Sequence, residues 1–324
     1  MISILMPVKN AEPYLKGCIE SIIKQSYTNW QLVAVDDSST DNSYQILKDF
    51  SSTYSNIEVF RSNGTGIIDA LRLAYKSSLG DFVHRMDADD LMPINKLELF
   101  MEHWQPKAIV SGKIKYFTDE GEIGDGFNKY QAWINGLMEA NNLWKDPYLE
   151  CSLPSPAWLM KRSDFEDIGA FRSSLLPEDY DLMFRIYASK IEVITIKETV
   201  HFWRDSLDRT SRNEPQYFPI AYFPIKVHYF LQIDRNTKPL LLWGAGRKGK
   251  LIAKLLIAQN EKFTWITNNQ NKIGLSIYGI RMHGEDEINL TEFQTILAIS
   301  SPRDKKGVIE KLKKQNYSDF FWFC

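Results

Sequence analysis

Along its first 85 residues the chain alternates short apolar runs with stretches whose apolar residues recur at helical spacing, and this alternation restricts the fold more than any other feature. Strand-like runs at residues 2–6 and 31–35 flank a helical pattern over 14–24, where Leu15, Cys18, Ile19 and Ile22 fall on one face. The pattern continues with a helix over 43–50 after the polar turn DSSTDN, a strand at 57–61, a helix at 67–77 and a strand at 81–85. Strands separated by helices predict an α/β fold with a mostly parallel central sheet covered on both faces. In such sheets ligands bind just beyond the carboxyl ends of the strands.

Asp36 and Asp37 stand side by side where the second run leaves this sheet. Adjacent carboxylates repel each other, and neither is buried cheaply. Capping of the next helix is one use for them. A second strand ends in the same way, in GDFVHRMDADDLMP, with Asp87, Asp89 and Asp90. Two acidic strand ends in one sheet converge on one edge, where a cation relieves their repulsion. Oxygen-only ligands suit Mg²⁺ or Mn²⁺, which one or two carboxylates hold while substrate phosphates complete the shell. A diphosphate substrate is therefore expected.

Here the sequence also carries a resemblance. The stretch ISILMPVKNAEPYLKGCIESIIKQSYTNWQLVAVDDSSTDNS, followed by NGTGIIDALRLAYKSSLGDFVHRMDADD, resembles the family 2 glycosyltransferases of the GT-A fold, through most of the first 210 residues. The resemblance implies an inverting transferase that uses a nucleotide-diphosphate sugar and a divalent metal. It implies that Pro7, Val8 and Asp37 hold the nucleobase, that Asp87 lies near the ribose, and that Asp89 binds the metal. Inversion needs a carboxylate to take the proton of the attacking hydroxyl, while the metal stabilises the leaving diphosphate. The resemblance places that base on Asp179, in LLPEDYDLMFRIYA, where Glu178, Asp179 and Asp181 open a predicted helix. Helix capping is the alternative use of these acids.

Upstream, LPSPAWLMKRSDFEDIGAF resembles the acceptor side of the family, with Trp158 either a sugar-stacking surface or part of the core. Downstream, HFWRDSLDRTSR offers Arg204, Arg209 and Arg212, with Ser206, Thr210 and Ser211, as groups that close over a diphosphate. A histidine near this position sometimes reaches the metal in the family; His201 is read as structural.

The chain then begins a new alternation. TKPLLLWGAGRKGKLIAKLL places Gly244, Gly246 and Gly249 in a G-x-G-x-x-G turn between a strand and a helix, where a phosphate can approach a helix N-terminus. The next strand ends in Thr267, Asn268 and Asn269, and no Asp or Glu occurs from 262 to 284, where a ribose-binding acid belongs. A small Rossmann-like accessory domain is expected, similar to those fused behind some family 2 glycosyltransferases. The expected divisions are a GT-A domain over 1–215, an aromatic-rich connecting segment over 216–237 and the Rossmann-like domain over 238–324.

Composition narrows the partners. A net charge of −2, with Lys and Arg scattered along 324 residues, gives no nucleic-acid footprint. Cys18, Cys151 and Cys324 follow no metal or disulfide spacing and read as reduced thiols of a cytoplasmic protein. The N-terminus lacks the pattern of a signal peptide, and no apolar run reaches the roughly 18 residues a membrane span requires. Residues 217–233 come nearest, broken by Pro219, Pro224, Lys226 and His228; packing between domains, peripheral contact at the inner face of a membrane, or a homodimer surface would each use them.

The leading expectation is inverting, metal-dependent transfer of a sugar to a hydroxyl of a glycan or lipid-linked acceptor, in polysaccharide or glycoconjugate assembly. Alternatives are an NAD(P)-linked oxidoreductase working at the C-terminal turn and a non-catalytic sugar-nucleotide-binding protein. A sugar-1-phosphate nucleotidyltransferase would need a glycine-rich loop after the first strand, and no glycine precedes Gly17.

Overall fold

A computed structural model describes residues 1–63, 66–172, 175–206, 218 and 220–324. The chain forms two compact units, one of Met1–Lys145 with Ser152–Arg209 and one of Asp146–Cys151 with Thr210–Cys324.

In the first unit, β1 (Ile2–Val8), β2 (Trp30–Asp36), β3 (Ile57–Arg61), β4 (Phe82–Arg85), β5 (Ala108–Phe117), β6 (Trp158–Lys161) and β7 (Glu192–Arg204) form one sheet in the order β3-β2-β1-β4-β6-β5-β7. All neighbours run parallel except β6, which is antiparallel to both β4 and β5. β2 is buried at every position and β1 at all but one, so both faces of this part of the sheet are covered. Among the covering helices are α1 (Glu12–Ile23), α2 (Ser43–Thr53) and α3 (Ile67–Ser77), joined later in the chain by α4 (Lys96–His103), α5 (Asp125–Glu139), α6 (Arg162–Asp167) and α7 (Glu178–Ser189). Helix α1 buries Leu15, Cys18, Ile19 and Ile22, the face its spacing predicts. β2, β1 and β4 lie side by side and point the same way, so Asp36, Val8 and Arg85 end on one edge. The chain order reverses between β1 and β4, which makes this edge a topological switch point.

The second unit contains α8 (Tyr222–Tyr229), continued by a π-helical turn at Phe230–Asp234, and then β8 (Leu240–Trp243), α9 (Arg247–Ala258), β9 (Phe263–Thr267), β10 (Ser276–Ile277), β11 (Ile280–Gly284), β12 (Gln294–Leu297), α10 (Pro302–Lys314) and β13 (Phe320–Trp322). Its sheet has the order β10-β11-β9-β8-β12-β13 and is parallel apart from the β10–β11 hairpin. Leu241, Trp243, Ile266, Leu297, Val308 and Leu312 belong to its core. Residues 146–151 are built into this unit by Tyr148, whose ring packs on Phe230, Phe321 and Phe323 and whose hydroxyl donates to Asp234. The buried Lys226 ammonium donates to the carbonyls of Leu149 and Phe323, and burial pushes its pKa down to about 8. Among the described residues no helix is long and apolar enough to cross a membrane.

Candidate active site

The acids of β2 lie at the switch point and are buried. Asp36 closes the strand and accepts from Arg61 Nε at 3.2 Å. Asp37 follows it; its backbone N–H donates to the Val8 carbonyl at 2.7 Å, which fixes the end of β2 against the end of β1. The Asp37 carboxylate accepts from the Ser62 hydroxyl and lies 3.8 Å from Lys9 Nζ. Pro7, Val8 and Asp37 are thus brought together, with Pro7 partly exposed at the strand end.

Beyond β4, Asp87 and Asp89 are partly exposed while Asp90 is fully buried. Asp87 accepts from Arg85 Nε at 2.9 Å. Asp90 accepts from His201 Nε2 at 2.8 Å and from the Arg204 backbone N–H at 2.7 Å. Because an ionised carboxylate only accepts, His201 carries its proton on Nε2, leaving Nδ1 to accept from Lys96 Nζ at 3.2 Å. Lys96 donates also to the Pro156 carbonyl at 2.6 Å. This network ties the acidic loop to β7 and to the segment before β6. It also occupies both nitrogens of His201. Burial pushes Lys96 down to about 7, against the opposing pull of Asp90 and Asp87. The Cys18 thiol is pushed well up by burial and then by the charges of Asp90, Asp89 and Asp87, which marks how closely the acids gather.

Arg204 ends β7 in the interior. Its Nε donates to the Asp89 carbonyl at 2.6 Å, its guanidinium pairs with Asp119, and it lies over the rings of Tyr14 and Phe117. Arg209 and Arg212, with Thr210 and Ser211, lie outside the described residues.

Asp179 sits in the first turn of α7 and opens into a cavity lined also by Arg85, Ser155, Trp158, Phe171 and Glu178. Its carboxylate accepts from the Ser155 hydroxyl at 3.3 Å and from the Tyr180 backbone N–H at 2.7 Å. Burial, followed by the neighbouring Glu178, raises its pKa to about 7, while Arg85 opposes the rise. A carboxylate poised near neutrality in a cleft is suited to accept a proton. Trp158 is buried and packs on Phe165. Asp181 turns away from the cavity group into an ion pair with Arg185 at 2.9 Å.

Arg85 and the Lys96–His201–Asp90 network were not visible as site components in the sequence. Arg85 had one signal: a cation ending a buried strand two residues before a carboxylate. His201 was read as structural, and nothing announced its bond to Lys96, 105 positions away. Among the described residues, no three His, Cys, Asp or Glu side chains are grouped to hold a metal ion.

In the second unit, the G-x-G-x-x-G turn leads from β8 into α9. Gly244 adopts φ +126°, and a Cβ there would lie 2.5 Å from the Ala298 carbonyl oxygen; one on Gly249 would lie 2.0 Å from the Gly244 oxygen. Gly244 passes close to the end of β12, and Gly249 lets the helix pack on the loop. A Cβ on Gly246 would meet nothing within 4 Å. Asn268, at the end of β9, accepts from Trp243 Nε1 at 2.5 Å.

The first unit has the GT-A fold and the second, later in the chain, is Rossmann-like. A family model described as Glycosyl transferase family 2 matches residues 3–169, just over half of the chain, and the chain belongs to that family. It is a glycosyltransferase of the kind that uses nucleotide-diphosphate sugars. Glycosyltransferase GlyG of Streptococcus pneumoniae serotype 4 is 25% identical over 224 residues, 66% of this chain and 74% of that protein. The Escherichia coli UDP-Glc:alpha-D-GlcNAc-diphosphoundecaprenol beta-1,3-glucosyltransferase WfgD is 37% identical over 100 residues, 31% of this chain and 39% of that one. The structure of S. aureus TarS 1–349 in complex with UDP-GlcNAc superposes with a TM-score of 0.53 at 18% identity, covering 79% of this chain and 71% of that one, and shares the fold.

Proposed function

We propose that this chain is an inverting glycosyltransferase in which Asp179 is the general base and the edge formed by β1, β2 and β4 binds the nucleotide-diphosphate sugar. The observation that carries this reading is the position of Asp179, near neutral pKa, in a cavity that shares Arg85 with the acidic loop of Asp87 and Asp89. In the reaction, the acceptor hydroxyl gives its proton to the Asp179 carboxylate as its oxygen bonds to the anomeric carbon. The bond from that carbon to the diphosphate breaks on the opposite face, and the nucleoside diphosphate leaves with the electron pair. Pro7, Val8 and Asp37 would hold the base, and Asp87 the ribose hydroxyls.

The donor set fits a divalent ion of a particular kind. Asp89 is partly exposed and supplies oxygen ligands, as a Mg²⁺ or Mn²⁺ held through one carboxylate and completed by substrate phosphates requires; it does not fit an ion caged by protein alone. Such an ion, when bound, neutralises the leaving diphosphate. WfgD acts on a diphosphoundecaprenol-linked sugar, and we place the acceptor of this chain among glycans or lipid-linked glycans, met at the cytoplasmic face of a membrane. The second unit is an accessory domain without redox chemistry, since the strand end that would bind an adenosine ribose carries Asn268, already bonded to Trp243.

Thermal unfolding with UDP, GDP, CDP or dTDP, each with and without Mn²⁺, tests the donor half. One nucleotide should stabilise the protein only with metal, by about 2.7 kcal/mol at a hundred times its dissociation constant, and Asp89→Ala should lose that effect. Metal-independent binding, or an unaffected variant, would overturn the metal assignment.

A further inference from the structure

Arg85 connects the two halves of the site. It is the last residue of β4, 6% exposed, and it bonds carboxylates from two separate segments: Nε donates to Asp87 at 2.9 Å and Nη1 to Glu178 at 3.0 Å. Glu178 is itself 8% exposed and precedes Asp179 in the first turn of α7. A guanidinium presents its donors in a rigid planar fork, so two carboxylates bound to one fork have a fixed separation. We propose that Arg85 is a positioning residue, a strut that sets Asp87 of the donor loop and the Glu178–Asp179 turn in register, and that Glu178 serves as its anchor and not as a reacting acid. This rests on the reading of Asp87 as a donor contact and Asp179 as the base.

The electrostatics of the cavity agree with this geometry. The charged groups facing Asp179 are Glu178 from its own helix and Arg85 from β4, with the Ser155 hydroxyl facing it from the segment before β6. Glu178 raises the Asp179 pKa and Arg85 lowers it. Removing each should therefore move Asp179 in opposite directions.

The test is thermal unfolding between pH 5 and 9, with and without UDP, GDP, CDP or dTDP plus Mn²⁺, on the wild type and on Arg85→Met, Arg85→Lys, Glu178→Gln and Asp179→Asn. Arg85→Met should weaken the stabilising nucleotide about tenfold, the effect of losing a charge-assisted hydrogen bond. Glu178→Gln should leave it nearly unchanged, because the bond to Asp87 persists. Relative to Asp179→Asn, wild-type stability should decline as pH rises from 5 and level off near 7, above which the carboxyl is ionised in the folded protein too. The decline should extend to higher pH in Arg85→Met and end at lower pH in Glu178→Gln. A role in folding alone would lower all midpoints without moving these pH curves.

Wild-type nucleotide binding in Arg85→Met overturns the donor side of the strut, and an unmoved pH curve overturns the base side. If Arg85→Met does not fold, Arg85→Lys and Glu178→Gln decide. Lysine keeps the charge without the fork, so nucleotide binding should weaken while the pH curve stays near wild type, and full binding in that variant overturns the proposal. Absence of any nucleotide effect on the wild type overturns the donor reading itself and the donor side of the strut with it. A wild-type effect that Arg85→Met retains overturns the strut alone.

Discussion

Individual side chains set the chemistry through their surroundings. As the proposed base, Asp179 would act only when deprotonated, and burial, followed by Glu178, raises its pKa to about 7. Transfer measured as kcat/KM should therefore rise with pH through neutrality, falling about tenfold per unit below it. Asp179→Asn should bind nucleotide normally yet lower kcat by about a hundredfold or more, read by release of nucleoside diphosphate; unchanged turnover would remove the assignment. Lys96 is a different case, since it is not among the residues lining the Asp179 cavity and is buried beside Pro156 and His201, with the Asp90 carboxylate beyond. Lys96→Met takes the buried donor away from His201 Nδ1 and the Pro156 carbonyl and its charge away from the Asp90 network, and a loss of about 3 kcal/mol is expected in urea unfolding. Asp37, Asp87 and Asp89 were legible as candidates because charge at the end of an apolar run is visible in one dimension, whereas Asp179 was marked by the family resemblance. Their partners were not. Glu178 lies 93 positions from Arg85, and nothing local announces such a bond.

At the scale of elements, apolar periodicity located β1, α1, β2, α2, β3, α3 and β4 to within a few residues. For α1 the pattern gave 14–24 and the structure gives Glu12–Ile23, the earlier start using Pro13 in the first turn, where its missing N–H is harmless. The antiparallel β6 was beyond such a reading, because its direction is set by the strands on either side of it. The glycine-rich turn shows that one motif can hold glycines for different reasons. Gly249→Ala drives a methyl group into the Gly244 carbonyl and is expected to destabilise by about 3 kcal/mol or more. Gly246→Ala meets open space and should change stability by about 0.5 kcal/mol or less. Equal effects in denaturant unfolding would contradict the packing account.

For the whole molecule, the division into units has a consequence for truncation. A chain cut after residue 237 keeps Tyr148 but loses Phe321 and Phe323, on which its ring packs. Such a fragment should express poorly or aggregate, as judged by size-exclusion chromatography, whereas the intact chain should not. Fluorescence titration of the full chain with NADH or NADPH should give no saturable binding; saturable binding would restore the oxidoreductase alternative. The amino-acid sequence by itself determined the α/β class and the acids at the carboxyl ends of its strands, because strand period, helix period and charge at strand ends are properties of neighbouring residues; the strand order that makes their edge a switch point came from the tertiary structure. Tertiary structure alone decided which acids are buried, which cation each meets, and that residues 146–151 join the second unit. Those outcomes depend on contacts between segments distant along the chain, where desolvation and paired charge, not local preference, select the arrangement.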